Sequence, residues 1–176
     1  MFPDVHIKKI LFATDLSEYA RKAFAYAVNL ADHFGAGITM LHVVMDGLDD
    51  FPMARSYVGR ENLEKIRDEH LQEARQAMIG KSREFAPQRK AMTRICEEAK
   101  EKIDTMTFTA DEIVVVTGDP AEEIVRQSVE RNCDIIVMGS HGHGGIMDAW
   151  LGSVSLVVLK RSKKPVFMVR LDEPAR

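Results

Sequence analysis

Cys133-Asp134-Ile135-Ile136-Val137-Met138, followed by Gly139-Ser140-His141-Gly142-His143-Gly144-Gly145 and then by Gly152-Ser153-Val154-Ser155, is the stretch on which the reading of this chain turns. The apolar run reads as a buried strand, and Leu156-Val157-Val158-Leu159-Lys160-Arg161 reads as a helix. A glycine-rich loop therefore leaves the end of a strand and closes on the start of a helix. Such a loop suits phosphate. Glycines let backbone amides approach the ligand, and the free N–H groups of a helix start favour an anion. Ser153 and Ser155 add hydroxyl donors. The competing reading is a plain connection ending in a serine N-cap.

The neighbouring segments repeat the alternation of strand and helix. Asp111 to Thr117 reads as strand three, and Gly118-Asp119-Pro120 as a turn, with Pro120 suited to the first helical position. Ala121, Ile124, Val125, Ser128 and Val129 make a helical stripe that Asn132 closes. Lys160, Arg161, Lys163 and Lys164 complement the negative end of the closing helix, and Pro165 to Arg170 reads as strand five. At the start, Lys8 to Ala13 is strand one. Ser17 is a helix N-cap, Gly35 a left-handed helix end, and Ile38 to Val44 strand two. Strands alternating with helices predict an α/β fold with one open, parallel, doubly wound sheet.

The stretch between strands two and three is the least regular. Met45 to Gly59 reads as a loop able to fold over a ligand. A charged helix follows from Arg60, with Leu63, Ile66, Leu71, Ala74 and Met78 on one face. Pro87 is expected to end or kink it, before a further helix striped by Met92, Ile95, Cys96, Ala99 and Ile103.

Composition narrows the function. The 176 residues are 45% hydrophobic, enough for one well-buried domain. A net charge of −3 gives no field that would attract nucleic acid. No apolar stretch approaches the roughly 20 residues of a membrane helix, and no signal peptide is seen, so a cytoplasmic location is expected. Cys96 and Cys133 fit no zinc spacing and are expected as buried thiols.

These stretches, taken in order, resemble the universal stress protein family. Gly139, Gly142, Gly152 and Ser153 match its G-x2-G-x9-G-[ST] signature without a gap. Ile10 to Ser17, Leu41-His42-Val43-Val44, Gly118-Asp119-Pro120-Ala121 and Pro165 to Val169 match the elements around it. The resemblance implies one Rossmann-like domain over residues 1–176, with strand order 3-2-1-4-5 and a long helical crossover at about 45–105. It implies ATP or another adenine nucleotide, with or without Mg2+, in the crevice between strands one and four. Asp15 would contact the adenosine part and the backbone of Val43 the adenine edge. Gly139, Gly142, Gly152, Ser153 and Val154 would surround ribose and phosphates, and Ala13, Met138, His141 and Ser155 complete the set. It also implies a homodimer paired antiparallel through Val166, Phe167, Met168 and Val169.

The loop departs from the family pattern. His141 and His143 stand where basic residues are common, Asp148 lies beside them, and Trp150 replaces an aliphatic residue. No GxxxxGK[ST] motif is present and no lysine stands in the loop, so a stress-responsive nucleotide sensor or switch with little or no ATP hydrolysis is expected. Two alternatives stay open. One is a non-nucleotide member of the family that acts by dimerisation and contacts with an unknown protein partner. The other is a metal site of His141, His143 and Asp148, with His42. A hydrolase reading fails, because Gly139-Ser140-His141-Gly142 is not a G-x-S-x-G elbow.

Overall fold

The computed structural model describes residues 4–17, 20–45, 85–102, 108–140 and 151–170. Along them run β1 (Lys9–Ala13), α1 (Ala20–Phe34), β2 (Gly37–Val44), α2 (Ala86–Lys102), β3 (Thr109–Thr117), α3 (Pro120–Glu130), β4 (Ile135–Gly139), α4 (Ser153–Arg161) and β5 (Val166–Val169). The strands are parallel and lie in the order β3-β2-β1-β4-β5. This is the doubly wound α/β sheet that the alternation and the family likeness led us to expect.

Period-two alternation along the strands divides the core into two layers. Ile10, Phe12, Ile38, Met40 and Val137 turn to one face and pack with Ala23, Phe24, Ala27 and Val28 of α1 and Met92, Ile95 and Cys96 of α2. Leu11, Ala13, Leu41, Ile136 and Met138 turn to the other, against Ala121 and Ile124 of α3 and Val158 of α4. The central strand β1 is covered on both sides, with Ile10, Leu11 and Phe12 fully buried.

Turn chemistry sets the element ends. Gly35 takes a φ of 62° after α1, and the Ala36 N–H closes on the Ala31 carbonyl at 2.8 Å, the left-handed helix end that glycine permits. Asn132, at φ 53°, does the same after α3. Asp119 caps α3 by accepting the Glu122 N–H at 2.9 Å, with Pro120 in the first turn. Gly118, at φ 146°, donates its N–H to the Val44 carbonyl at 3.0 Å.

Three boundaries differ from the sequence reading by two residues or more. β3 starts at Thr109 and not at Asp111, because a bulge between Ile38 and Thr39 lets pairing continue past Asp111 to Thr109. β4 starts at Ile135 and not at Cys133. The Cys133 N–H closes on Ser128, and the Asp134 carboxylate turns back to accept the Lys8 and Lys9 N–H groups at 2.8 and 2.9 Å. α4 begins at Ser153 and not at Leu156, so its N-cap is Gly152 and not a serine. Pro87 lies in the first turn of α2, where its missing N–H costs nothing. The charged helix expected from Arg60, the expected lid beyond Met45 and the Ile103 contact lie outside the described residues.

Candidate functional site

β1 is the strand at which the winding reverses. From it the chain crosses through α1 to β2 on one side, while β4 lies on the other and is reached from β3 through α3. The connections at the carboxyl ends of β1 and β4 therefore part in opposite directions and leave a crevice, the usual ligand position in an open parallel sheet. Ala13 marks its floor, paired with Leu41 on one side and Met138 on the other. The side chains of Ala13 and Met138 are buried in the α3–α4 layer.

The turn after β1 forms one wall and is densely tied. The Thr14 N–H donates to the Leu41 carbonyl at 2.9 Å, and the Leu16 N–H to Thr14 Oγ1 at 3.0 Å. The Ser17 N–H donates to Asp15 Oδ1 at 3.1 Å, and the Ala20 N–H to Ser17 Oγ at 3.3 Å. Leu16 sits at φ 64°, a conformation a bulky side chain adopts only where its surroundings impose it. These bonds hold the half-buried Asp15 at the mouth of the crevice.

The opposite wall is the junction of β4 and α4. The Ser140 N–H donates to Val169, and the Gly152 N–H to the Ser140 carbonyl, both at 2.8 Å. The chain leaving β4 thus lies against the chain entering α4. Ser155, 3% exposed, donates its hydroxyl to the Gly139 carbonyl at 3.1 Å. Its proton is committed to the fold, because its place in the first turn of α4 points it back at β4. Ser153, by contrast, is exposed. Gly152 has φ −66° and ψ 157° and gives α4 no side-chain cap.

The edge of β2 completes the site. Along a parallel strand, successive residues turn their peptide groups to alternate neighbours. The Val44 carbonyl accepts from Gly118, beyond β3, and the Leu41 carbonyl accepts from Thr14, beyond β1. Val43 therefore turns its N–H and C=O toward β1, past the last β1–β2 pair at Ala13 and Leu41.

The structure thus gathers Ala13, Asp15, Val43, Met138, Gly139, Gly152, Ser153, Val154 and Ser155 at one end of the sheet. His141, Gly142, His143, Asp148 and Trp150 lie outside the described residues. His42, named in the sequence as a metal partner, places Nδ1 2.9 Å from the Thr14 carbonyl. Among the described residues no group of three His, Cys, Asp or Glu side chains is placed to hold a metal ion. Nor is any helix among them long and apolar enough to cross a membrane. Sequence reasoning gave Thr14 no role and gave His42 only that of a metal partner. The available signal for Thr14 was a short hydroxyl side chain two residues before Leu16, which suits a side-chain turn.

Residues 6–170 match the model of the universal stress protein family. Universal stress protein MJ0577 of Methanocaldococcus jannaschii is 32% identical over 170 residues, 94% of this chain and 96% of the relative. Universal stress protein YxiE of Bacillus subtilis is 32% identical over 164 residues, 92% of this chain and 98% of the relative. The solved structure of MJ0577 superposes with a TM-score of 0.62 at 28% identity, over 97% of this chain and 100% of that one. A universal stress protein solved in complex with cAMP superposes with the same TM-score of 0.62 at 20% identity, over 96% of this chain and 100% of that one, and shares the fold. With Gly139 and Gly152 at the switch point and a family match over almost its whole length, the chain belongs to the universal stress protein family.

Proposed function

We propose that this universal stress protein binds ATP, or another adenine nucleotide, at the carboxyl ends of β1 and β4 and acts as a stress-responsive sensor or switch with little or no turnover. The observation that carries the reading is the uncapped start of α4. Gly152 adopts an ordinary extended conformation that Ser, Thr, Asp or Asn would fit equally well, and any of them would cap the helix. Glycine leaves the first-turn N–H groups to a ligand, and these groups with their helix dipole favour a phosphate. The exposed Ser153 adds a hydroxyl there. Asp15 stands across the crevice for the ribose, and the Val43 peptide group is open for the base. His141 and Gly142 join this set on the sequence likeness alone. The cAMP complex of a protein with the same fold is consistent with an adenine ligand. With no P-loop lysine to neutralise a transferring phosphoryl group, the site favours holding over hydrolysis.

The assembly we propose is a homodimer through β5. The two sheet edges differ. On β3, Arg89 of α2 donates Nη1 to the outward Ile113 carbonyl at 3.2 Å, and Asp111 and Glu112 put charge on the strand. β5 reads Val-Phe-Met-Val with no charge, and α4, which packs beside it, exposes Leu156 and Leu159. An apolar edge of this kind needs a cover, and a second copy supplies one.

Mass spectrometry of small molecules released from freshly purified, denatured protein, with titration calorimetry against ATP, AMP and cAMP, tests the ligand. An adenine nucleotide in the released fraction or saturable binding is expected, and neither would sink the reading. Light scattering that finds a monomer at about tens of micromolar would remove the dimer.

A further inference from the structure

We infer that His42 is a positioning residue for the base. Its ring takes the Thr14 carbonyl that the β1–β2 ladder would otherwise pair with Val43, and so keeps the Val43 N–H and C=O open to the crevice. The inference rests on the nucleotide reading above and names the residue that prepares the part of the site facing the base.

In a parallel pair, one residue donates its N–H to the neighbouring strand and accepts through its C=O from a residue two further along. Thr14 makes the first of these bonds, from its N–H to the Leu41 carbonyl at 2.9 Å. The next rung would run from the Val43 N–H to the Thr14 carbonyl. Among the described residues that bond is absent. The Thr14 carbonyl instead receives His42 Nδ1 at 2.9 Å. A carbonyl only accepts, so Nδ1 carries the proton. Ring and missing rung belong together, because a carbonyl turned toward the imidazole is turned away from the amide of the next residue. Thr14 is 8% exposed, and its Oγ1 holds the Leu16 N–H while Leu16 sits at φ 64°. The carbonyl is thus fixed from both sides, by the ring and by the strained turn.

What is left open has a definite chemistry. The N–H and C=O of one residue, side by side on a strand edge, form a donor–acceptor pair. Adenine matches it with the N1 acceptor and the N6 amino donor. A 6-oxo purine presents an acceptor at O6 and a donor at N1, the reverse order, and would set like groups against each other. His42 therefore acts on which purine is held as well as on how tightly, without touching the base.

Three full-length proteins decide this: wild type, His42→Ala, and His42→Asn, whose amide nitrogen can stand near the position of Nδ1. Val43 amide exchange is measured by NMR in the free proteins, and ATP and inosine triphosphate are titrated by calorimetry. In His42→Ala the Thr14 carbonyl is expected to take the Val43 N–H. That amide becomes more protected, ATP affinity falls about five- to tenfold, the scale of one neutral hydrogen bond, and the preference for ATP over inosine triphosphate shrinks. His42→Asn is expected to restore all three. A purely structural role for His42 would loosen this edge and lower Val43 protection. Unchanged or lowered protection in His42→Ala overturns the inference, and so does an ATP affinity within about twofold of wild type. If the wild type binds neither nucleotide, the nucleotide reading falls, and Val43 protection in His42→Ala alone then decides the role of the ring. If the alanine variant does not fold, His42→Asn carries the test. Loss of the ATP preference with the amide retained would overturn the inference.

Discussion

Ser153 and Ser155 both read from the sequence as phosphate donors, but the structure separates them, and two alanine substitutions would show the separation. Ser155 is 3% exposed and donates to the Gly139 carbonyl at 3.1 Å. Ser155→Ala removes that donor and leaves the half-buried Gly139 carbonyl short of a partner, a loss of about 1–3 kcal/mol. At about 2–4 °C per kcal/mol for a chain of this size, the melting temperature should fall by roughly 2–12 °C. Ser153 is exposed at the start of α4 and makes no cap for it. Ser153→Ala should move stability by no more than about 0.5 kcal/mol. On ATP the order should reverse. Losing a hydroxyl bond to a charged phosphate is worth about 1.5–3 kcal/mol, or about ten- to a hundredfold in affinity. Ser155→Ala, still folded at room temperature, should bind within a few-fold of wild type. Thermal unfolding followed by circular dichroism and ATP titration by calorimetry are the assays. A Ser155→Ala protein that melts like wild type but loses ATP would refute this division of labour and return Ser155 to the phosphate.

Thr39, fully buried in β2, has no hydrogen-bond partner for its hydroxyl among the described residues. The Cys133 thiol lies close to that hydroxyl. Thr39→Val should therefore stabilise the protein by about 1 kcal/mol in urea unfolding, and a loss of stability would mean the hydroxyl is bonded after all. Burial pushes the Cys96 and Cys133 thiols above their ordinary range. The unfolded chain then ionises from about pH 8.5 while the folded chain stays neutral, so stability should fall as pH rises through that window toward the raised folded values. Denaturation series at about pH 7.5 and pH 9.5 should show the fall, and the Cys133→Ala and Cys96→Ala double variant should flatten it. Gly152→Ser should add a cap and gain a few tenths of a kcal/mol. Because the new hydroxyl competes for the amides proposed to meet phosphate, ATP affinity should drop, and unchanged affinity in calorimetry would count against that role.

Period and punctuation made most of the fold legible. Ile10 to Ala13 and Ile135 to Met138 announce buried parallel strands. The Ala23, Phe24, Ala27, Val28 spacing announces α1, and Gly35, Asp119-Pro120 and Asn132 mark ends that the structure places as expected. Strand order does not follow from local pattern and came with the family likeness. What escaped were decisions made by partners distant in sequence. Thr109 joins β3 because Gly37 across the sheet accepts the pairing, and Asp134 leaves the apolar run to hold Lys8 and Lys9. The same limit applies at the site. That Asp15, Val43, Gly139 and Gly152 would meet at one end of the sheet followed from the family likeness. That Ser155 faces Gly139, or that His42 reaches Thr14, depends on which way a helix turn or a strand face points once the layers are packed.

The choice between a nucleotide-binding and a non-nucleotide member rests on where this fold leaves backbone groups unused. At two other helix starts the chain uses local side chains. Ser17 Oγ accepts the Ala20 N–H at the start of α1, and Asp119 accepts the Glu122 N–H at the start of α3. Each cap of this kind is worth about 1 kcal/mol, and such residues were equally available at position 152, whose backbone angles require no glycine. On the other wall the β1–β2 ladder could have run one rung further, yet His42 takes the acceptor. One open group at a helix start could be explained by packing alone. Two, on facing walls of one crevice, have complementary chemistry. The first-turn amides of α4 suit an anion and the Val43 peptide suits a base with a donor and an acceptor side by side. A partner-binding surface gives no reason for that pairing, whereas a ligand with phosphate at one end and adenine at the other accounts for both openings.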